Sequence, residues 1–282
     1  MTWIVSISDF ERNASALSPS TLQAAQAALH ENGCVLLRGV FPQAGIDYLR
    51  ESYESDWGRD ETEMAIAAKR PAPNPVLRVG EKRYEVLVKL SGAFANPMLF
   101  ANPLLHPFLA SELGSDMRIS GVTAVASYPG AELQRIHSDN AYLFEQDEVS
   151  TNLPTYAINV AIPLIDVDQS IGPTAVCLGS HRWPEKRPVA PEQLVSVDIR
   201  RGDCLLIDYR TKHSGMPNRS TVARPILYIV YARNWFFDEV NHMGRPSLNM
   251  PLEDFAALPD PVKPLLSRAY SLQMRARYLF QT

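Results

Sequence analysis

The sequence predicts a mainly β chain with flanking helices, its strands closed into a sandwich or barrel-like jelly roll. Three observations carry this. From about Arg118, short β-rich runs follow at close spacing: GVTAVASY, YAINVAIPLI, TAVCLG, LVSVDIR, DCLLIDY and ILYIVYARNWF. Gly, Pro, Asn and Asp separate them, and no helical pattern long enough for a crossover lies between, which disfavours a doubly wound parallel sheet. The 282 residues include 22 prolines and 14 glycines, where average usage gives about 14 and about 20. Many prolines punctuate short elements joined by rigid loops.

Taken in order, the chain opens as helix–strand–helix over residues 18–57. Ser18 is placed to cap, Pro19 fits a first helical position, and Leu22, Ala25 and Leu29 recur at helical spacing. Gly33 ends this helix, CVLLRGVF reads as a buried strand, and PQAGIDYLRESYESDW as a second helix. The charged, proline-bearing stretch from Asp60 to Pro75 is expected to be a loop. KRYEVLVKL reads as an early strand, and a further helix is expected from Pro103 to Leu113. The tail from Pro251 is expected to be partly helical and packed outside the barrel. The whole, 1–282, is read as one domain: N-terminal support (1–117), β core (118–237) and C-terminal extension (238–282).

Composition narrows the function. Hydrophobic residues make up 46% of the chain, enough for one sizeable core. A net charge of −4, from 27 Lys+Arg and 31 Asp+Glu, argues against a nucleic-acid protein working through a basic field. Cys34, Cys177 and Cys204 lie in apolar runs without CxxC spacing, so they read as buried inert thiols and not as a disulfide or zinc framework. The N-terminus shows no signal peptide and no run is long and apolar enough to span a membrane. A cytoplasmic, soluble chain is expected. GxGxxG, GxxxxGK[ST], GxSxG and HExxH are absent, which removes the main support for nicotinamide-fold, P-loop, hydrolase and zincin chemistry.

The sharpest local signal is Gln134-Arg135-Ile136-His137-Ser138-Asp139. Residues two apart on a strand share a face, so an imidazole and a carboxylate can converge on one metal ion. His213, delivered at the end of GDCLLIDYRTK, is the best third ligand. Two imidazoles and a carboxylate on one face leave three positions open, which suits ferrous iron in an oxygenase, whereas structural zinc closes its shell with four protein ligands. His-x-Asp alone is a weak signal. It gains weight from Arg224 at the start of the apolar strand PILYIVYA, because an arginine entering such a strand needs a partner, and its fork matches a carboxylate.

With HSD, then GPTAVCLGSHRWP, then GDCLLIDYRTKHSGMPNRS, then an arginine on the next strand, the chain resembles the phytanoyl-CoA dioxygenase family from about residue 20 to 237. LGSHRW and NPLLH are similar to its small tailoring dioxygenases of secondary metabolism. The resemblance implies a double-stranded β-helix core and an Fe(II)- and 2-oxoglutarate-dependent dioxygenase. Such an enzyme uses O₂ to oxidise an unactivated C–H bond of a small molecule, by hydroxylation, desaturation or rearrangement. It implies that His137, Asp139 and His213 hold the iron and that Arg224 clamps the distal carboxylate of 2-oxoglutarate. Gln134 and Thr174 match residues that bond the cosubstrate. Arg83, with Arg78 as rival, matches a basic residue from an earlier strand. A homodimer is also in keeping with the resemblance. Ile171 stands where the family often has Asn, which affects a turn hydrogen bond.

Two other classes remain open: an O₂-independent metal-dependent isomerase or hydrolase on the same barrel, and a non-catalytic small-molecule binder. The remaining polar residues have bland readings. His181 is expected to be structural, His30 to sit at a helix end, His106 to begin a surface turn and His242 to be solvated in a loop. Asp166 and Asp168 read as a surface pair, and Lys89 as a solvated strand residue. Asn140, Tyr142, Phe144, Trp235, Phe236 and Phe237 are candidates for the substrate mouth, with core packing an equal alternative for the aromatics. The near-neutral, aromatic-bearing loops favour a mid-sized, partly apolar metabolite.

Overall fold

The computed structural model describes residues 3–140, 142–238, 240–241 and 245–279. In chain order its elements are β1 (Ile4–Ser6), α1 (Asp9–Ala14), α2 (Pro19–Asn32), β2 (Cys34–Arg38), α3 (Gln43–Trp57), α4 (Glu61–Ala67), β3 (Val76–Gly80), β4 (Arg83–Val86), α5 (Pro97–Phe100), α6 (His106–Leu113), β5 (Arg118–Ser127), α7 (Asp147–Asn152), β6 (Ala157–Pro163), β7 (Thr174–Val176), β8 (Cys204–Asp208), β9 (His213–Gly215), β10 (Arg224–Ala232), α8 (Leu252–Ala257) and α9 (Lys263–Leu279).

Eight strands form the main sheet in the order β1-β2-β8-β6-β10-β5-β4-β3. All of its pairings are antiparallel except β1 with β2. The facing sheet is β7 with β9, widened by bridges from His137 to His213 and from Val176 to Val195. The core is therefore a double-stranded β-helix, or jelly roll. Its main sheet takes β1–β4 from the N-terminal third, so the division at residue 117 follows chain order and not a break in the sheet.

Period-two alternation splits each long strand between two environments. On β10, Leu227, Ile229 and Tyr231 pack into the large core under the helices, while Ile226, Tyr228 and Val230 face the jelly-roll interior. On β5, Val122, Ala124 and Ala126 join that large core, and Thr123 and Val125 face inward. The helices cover one face of the main sheet and the minor sheet covers the other. The tail packs outside the barrel as expected: Leu265, Leu266 and Ala269 of α9 enter the core.

The opening forms as read. Ser18 Oγ accepts from Thr21 N at 3.1 Å, Pro19 starts α2, and Gly33 ends it in the left-handed region at φ 74°. Residues 60–75 depart from the expected loop. Asp60 and Glu63 form a capping box, each side chain accepting from the other's backbone N–H, and Met64 and Ala67 of α4 are buried. The charges that suggested a loop are the helix-start signal itself. LVSVDIR is not a strand; it contributes only the bridges Val195–Val176 and Val167–Ile199. His137 is likewise a single bridge in an extended segment and not part of a regular strand. His106 begins α6 and not a surface turn. Lys89 is exposed and lies outside the strands.

One structural cluster ties the N-terminal unit to the chain that delivers His213. Thr211 Oγ1 donates to Gly33 O at 2.7 Å, and His181 Nε2 bonds His30 O at 3.2 Å. A Cβ at residue 33 would run into both Thr211 Oγ1 and the His181 ring, so packing as well as φ requires glycine here. His181 thus has the structural role expected of it. Burial pushes its pKa down to about 4, so the folded protein holds it neutral. An unfolded histidine titrates near pH 6.5, so between about 6.5 and 4 the unfolded chain binds a proton that the native state refuses. Stability is expected to be full above this window and to fall as pH drops through it, by up to about 3 kcal/mol from His181. Equilibrium denaturation from pH 7.5 to 4.5 checks this: His181→Gln should flatten the slope, and an unchanged slope would show that His181 is not its source.

Candidate metal and oxo-acid site

The extended chain at 134–139 lies along β9. Backbone N–H groups of His137 and His213 donate to each other's carbonyls at 3.0 and 2.8 Å, Gln134 N donates to Gly215 O at 3.0 Å, and Asp139 N donates to Tyr209 O at 3.0 Å. This ladder places His137, Asp139 and His213 together. Their nearest ligand atoms all lie within 4.8 Å of one another, and the imidazole centroids are 4.4 Å apart.

Backbone contacts orient each ring. His137 Nδ1 faces Arg135 O at 2.8 Å, and His213 Nδ1 faces Thr211 O at 3.0 Å. Each Nδ1 therefore carries the proton as donor, leaving the Nε2 lone pair free. His213 Nε2 stands 3.4 Å from Asp139 Oδ1. The other oxygen, Oδ2, accepts from Asn159 Nδ2 at 3.0 Å. Burial, and then the nearness of His213, push the His137 pKa down to about 4, so this ring is neutral and available as a ligand. One carboxylate oxygen and two imidazole nitrogens facing one point can hold a single divalent ion and leave its other positions open.

The same cavity, about 220 Å³, is lined by Gln134, Thr174, Gly215 and Arg224. Arg224 opens β10 and is 2% exposed. Its Nη1 donates to Gly172 O, and its Nε has no partner. Arg83 and Ser127 stand in one register row with it, because Ser127 pairs with both arginines across β4, β5 and β10. Arg83 is 1% exposed; its Nη2 donates to Glu132 O, Gly215 O and Met216 O at 2.8, 3.0 and 2.6 Å, while Nε and Nη1 have no partner. The Ser127 Oγ is also buried without a partner. Among the described residues no carboxylate pairs with either arginine. Burial lowers both pKa values, that of Arg83 to about 10 with Arg224's charge adding to the effect. Two buried guanidiniums without a counter-charge are costly unless an anion enters. Glycine at 215 keeps the place open, since a Cβ there would sit 2.6 Å from Arg83 Nη1 and 3.1 Å from Gln134 Oε1. The donor set thus fits an oxo-acid beside a metal ion.

The structure brings Gln134, Thr174 and Arg224 to one cavity with His137, Asp139 and His213. Gln134 Oε1 accepts from Gly215 N at 3.2 Å, and Thr174 is paired with Gly215 across β7 and β9. Arg83 sits behind Gly215 and is not itself in the lining, whereas its rival Arg78 is exposed and ion-paired to Glu81. Asp168 closes the turn before Gly172 by accepting from Ser170 and Ile171 N–H groups, and Asp166 pairs with Arg201. His30 pairs with Glu112 at 2.7 Å. Tyr142 donates to Trp183 O, Phe236 packs against Tyr156 and Tyr209, and Phe144, Trp235 and Phe237 are exposed. His242 lies outside the described residues.

Four positioning residues were not singled out from the sequence. Asn159 is the one polar side chain in the buried run of β6, a signal that could have been used. Asn241 Nδ2 donates to Asp139 O at 2.9 Å and also bonds Asp238, which accepts from Tyr209 Oη at 2.9 Å. Glu85 faces the cavity from β4 and is ion-paired to Arg245. No local pattern announces these long-range partners.

Residues 29–226 match the phytanoyl-CoA dioxygenase (PhyH) family. A curated relative, the iron/alpha-ketoglutarate-dependent dioxygenase okaE of Penicillium ochrochloron, is 29% identical over 199 residues, covering 66% of this chain and 62% of okaE. The chain thus spans less than two thirds of that relative's length. Two solved structures share the fold. The non-heme alpha ketoglutarate dependent epimerase SnoN from nogalamycin biosynthesis has a TM-score of 0.56 at 20% identity, covering 77% of this chain and 82% of SnoN. HygX from Streptomyces hygroscopicus, with nickel and 2-oxoglutarate bound, has a TM-score of 0.56 at 18% identity, covering 79% and 89%. With the family match spanning most of its length, this chain belongs to the phytanoyl-CoA dioxygenase (PhyH) family.

Proposed function

We propose that the chain is an Fe(II)- and 2-oxoglutarate-dependent dioxygenase that oxidises an unactivated C–H bond of a mid-sized small molecule. One observation carries this: a two-histidine, one-carboxylate face opens onto the same cavity as a buried arginine that has no acidic partner among the described residues. His137, Asp139 and His213 are the iron ligands in this reading. Arg224 binds the distal carboxylate of 2-oxoglutarate, with Gln134 and Thr174 beside it and Arg83 adding positive charge from behind Gly215. Bound there, iron with 2-oxoglutarate and O₂ supplies the oxidising power, with succinate and CO₂ as coproducts.

The chain's own residues do the rest. Asn159 holds Asp139 Oδ2, so that Oδ1 is the oxygen turned to the metal position. Backbone carbonyls fix both imidazole tautomers. Val79, Val125 and Val230 give the cavity an apolar wall that excludes water, while Glu85 and Tyr228 supply polar contacts within it. Residues 1–282 act as one oxygenase domain, since the N-terminal strands β1–β4 share the main sheet with β5, β6, β8 and β10. Among the described residues no helix is long and apolar enough to cross a membrane. The three cysteines are free and buried, in keeping with a cytoplasmic, reducing setting. The resemblance to tailoring dioxygenases points to a secondary metabolite as substrate. The homodimer that the resemblance implies has no support among the described residues.

His137→Ala and Asp139→Ala are expected to abolish iron- and O₂-dependent succinate release while the circular dichroism spectrum stays native. Full activity in either variant would end the ligand assignment, and turnover without O₂ or 2-oxoglutarate would identify a Lewis-acid enzyme instead. Arg224→Ala should raise the 2-oxoglutarate requirement by roughly 30-fold or more, the scale of a buried charge losing its partner, with a far smaller effect on the organic substrate. Asn159→Ala should weaken Fe(II) binding about tenfold, measured by titration of the metal-free protein; unchanged affinity would rule out its orienting role.

A further inference from the structure

A second crevice, of about 370 Å³, lies between α9, the first residues of β5 and the chain around Phe237 and Arg245. Its size falls in the range of small-molecule sites, roughly 300–1,000 Å³. One side is apolar, from Ile119, Phe237, Ala269 and Leu272. Arg245 stands on the other side and is 7% exposed. Its Nη2 donates to Glu85, but its Nε and Nη1 are buried with no hydrogen-bond partner. Glu85 belongs to the wall of the first cavity, so its ion pair with Arg245 links the walls of the two spaces.

Among the described residues three charged groups face the crevice: Arg245, Arg268 and Asp238. Arg268 donates to Phe236 O and Asn234 Oδ1, both at 3.2 Å, and has no acidic partner there among the described residues. Asp238 is occupied by neutral donors, Tyr209 Oη and Asn241. Among the described residues two guanidiniums therefore confront one already engaged carboxylate. Idle donors on a buried cation are costly to leave unmet and bond most strongly to a carboxylate.

We propose that this crevice is a second small-molecule site, which takes a monocarboxylate with an apolar body. The carboxylate sits on Arg245, and the body lies against Ile119, Phe237, Ala269 and Leu272. No metal-binding residue and no part of the Arg224 cradle takes part, so the site stands apart from the oxygenase reading.

Calorimetric titration of the full chain with phenylacetate and with octanoate tests this, with saturating Mn(II) and 2-oxoglutarate present to fill the first cavity. One site is expected for at least one of these probes. Arg245→Gln and Leu272→Trp should each weaken it at least about tenfold, while Arg224→Gln leaves it unchanged. Phenylacetamide, of the same shape without the charge, should bind at least about tenfold more weakly than phenylacetate. If Arg245→Gln does not fold, Leu272→Trp decides, because it fills the half-buried edge of the crevice and keeps the ion pair. The proposal is overturned if neither probe binds at millimolar concentration, if folded Arg245→Gln or Leu272→Trp binds like the wild type, if binding is lost in Arg224→Gln, or if the amide binds as well as the acid.

Discussion

Two backbone hydrogen bonds between His137 and His213, at 3.0 and 2.8 Å, hold the minor sheet to the segment that carries the carboxylate. Side chains that converge on a metal must be aligned by the main chain first, because rotamer freedom alone does not bring three donors to one point. The bridge sets the two imidazoles side by side. The next contact in the ladder, Asp139 N to Tyr209 O, turns the carboxylate toward them. Behind this, the buried ion pair of Asp208 with Arg210, and the bonds of Arg210 to the carbonyls of Ser150 and Leu153, fix the approach to His213.

The second constraint is electrostatic. Arg83, Ser127 and Arg224 occupy one row across three strands, and each presents a buried polar atom without a partner. Arg210, another buried arginine, is by contrast satisfied, by Asp208 and two carbonyls. The contrast sets this row apart as the place where the proposed ligand, and not a side chain, would complete the hydrogen bonding. Arg245 repeats that pattern on the far side of Glu85: its Nη2 is ion-paired, and its Nε and Nη1 are left unmet as in Arg83.

The site's rigidity comes from elements that lie outside the strand-rich half of the chain. Gly33, at the end of α2, receives the Thr211 hydroxyl, and Asn32 O accepts from Gly179 N at 2.8 Å. The N-terminal helix–strand unit thus braces both the turn before His213 and the exit from β7. It also supplies β2, which pairs with β8 inside the main sheet. Helical support and barrel are therefore one packed unit at the residues that matter most.

Local chemistry made much of this legible in sequence. Ser18, Pro19 and Gly33 mark their helix because capping and the left-handed turn depend on neighbouring residues only, and the unbroken apolar, β-rich run ILYIVYA marks a buried strand for the same reason. His137 and Asp139 stand two apart, so extended geometry alone puts them on one side. The sequence also showed that Arg224 needed a partner, since a charge in an apolar strand is costly in any fold. Tertiary structure alone decided which groups meet across long separations: Asn159 with Asp139, Asn241 with the same residue's carbonyl, Glu85 with Arg245, and Arg83 behind Gly215. It decided as well that LVSVDIR would bridge without forming a strand, and that Met64 of the helix begun by the Asp60–Glu63 capping box would find a core to enter. Such outcomes depend on burial and register between distant segments, which no local pattern contains.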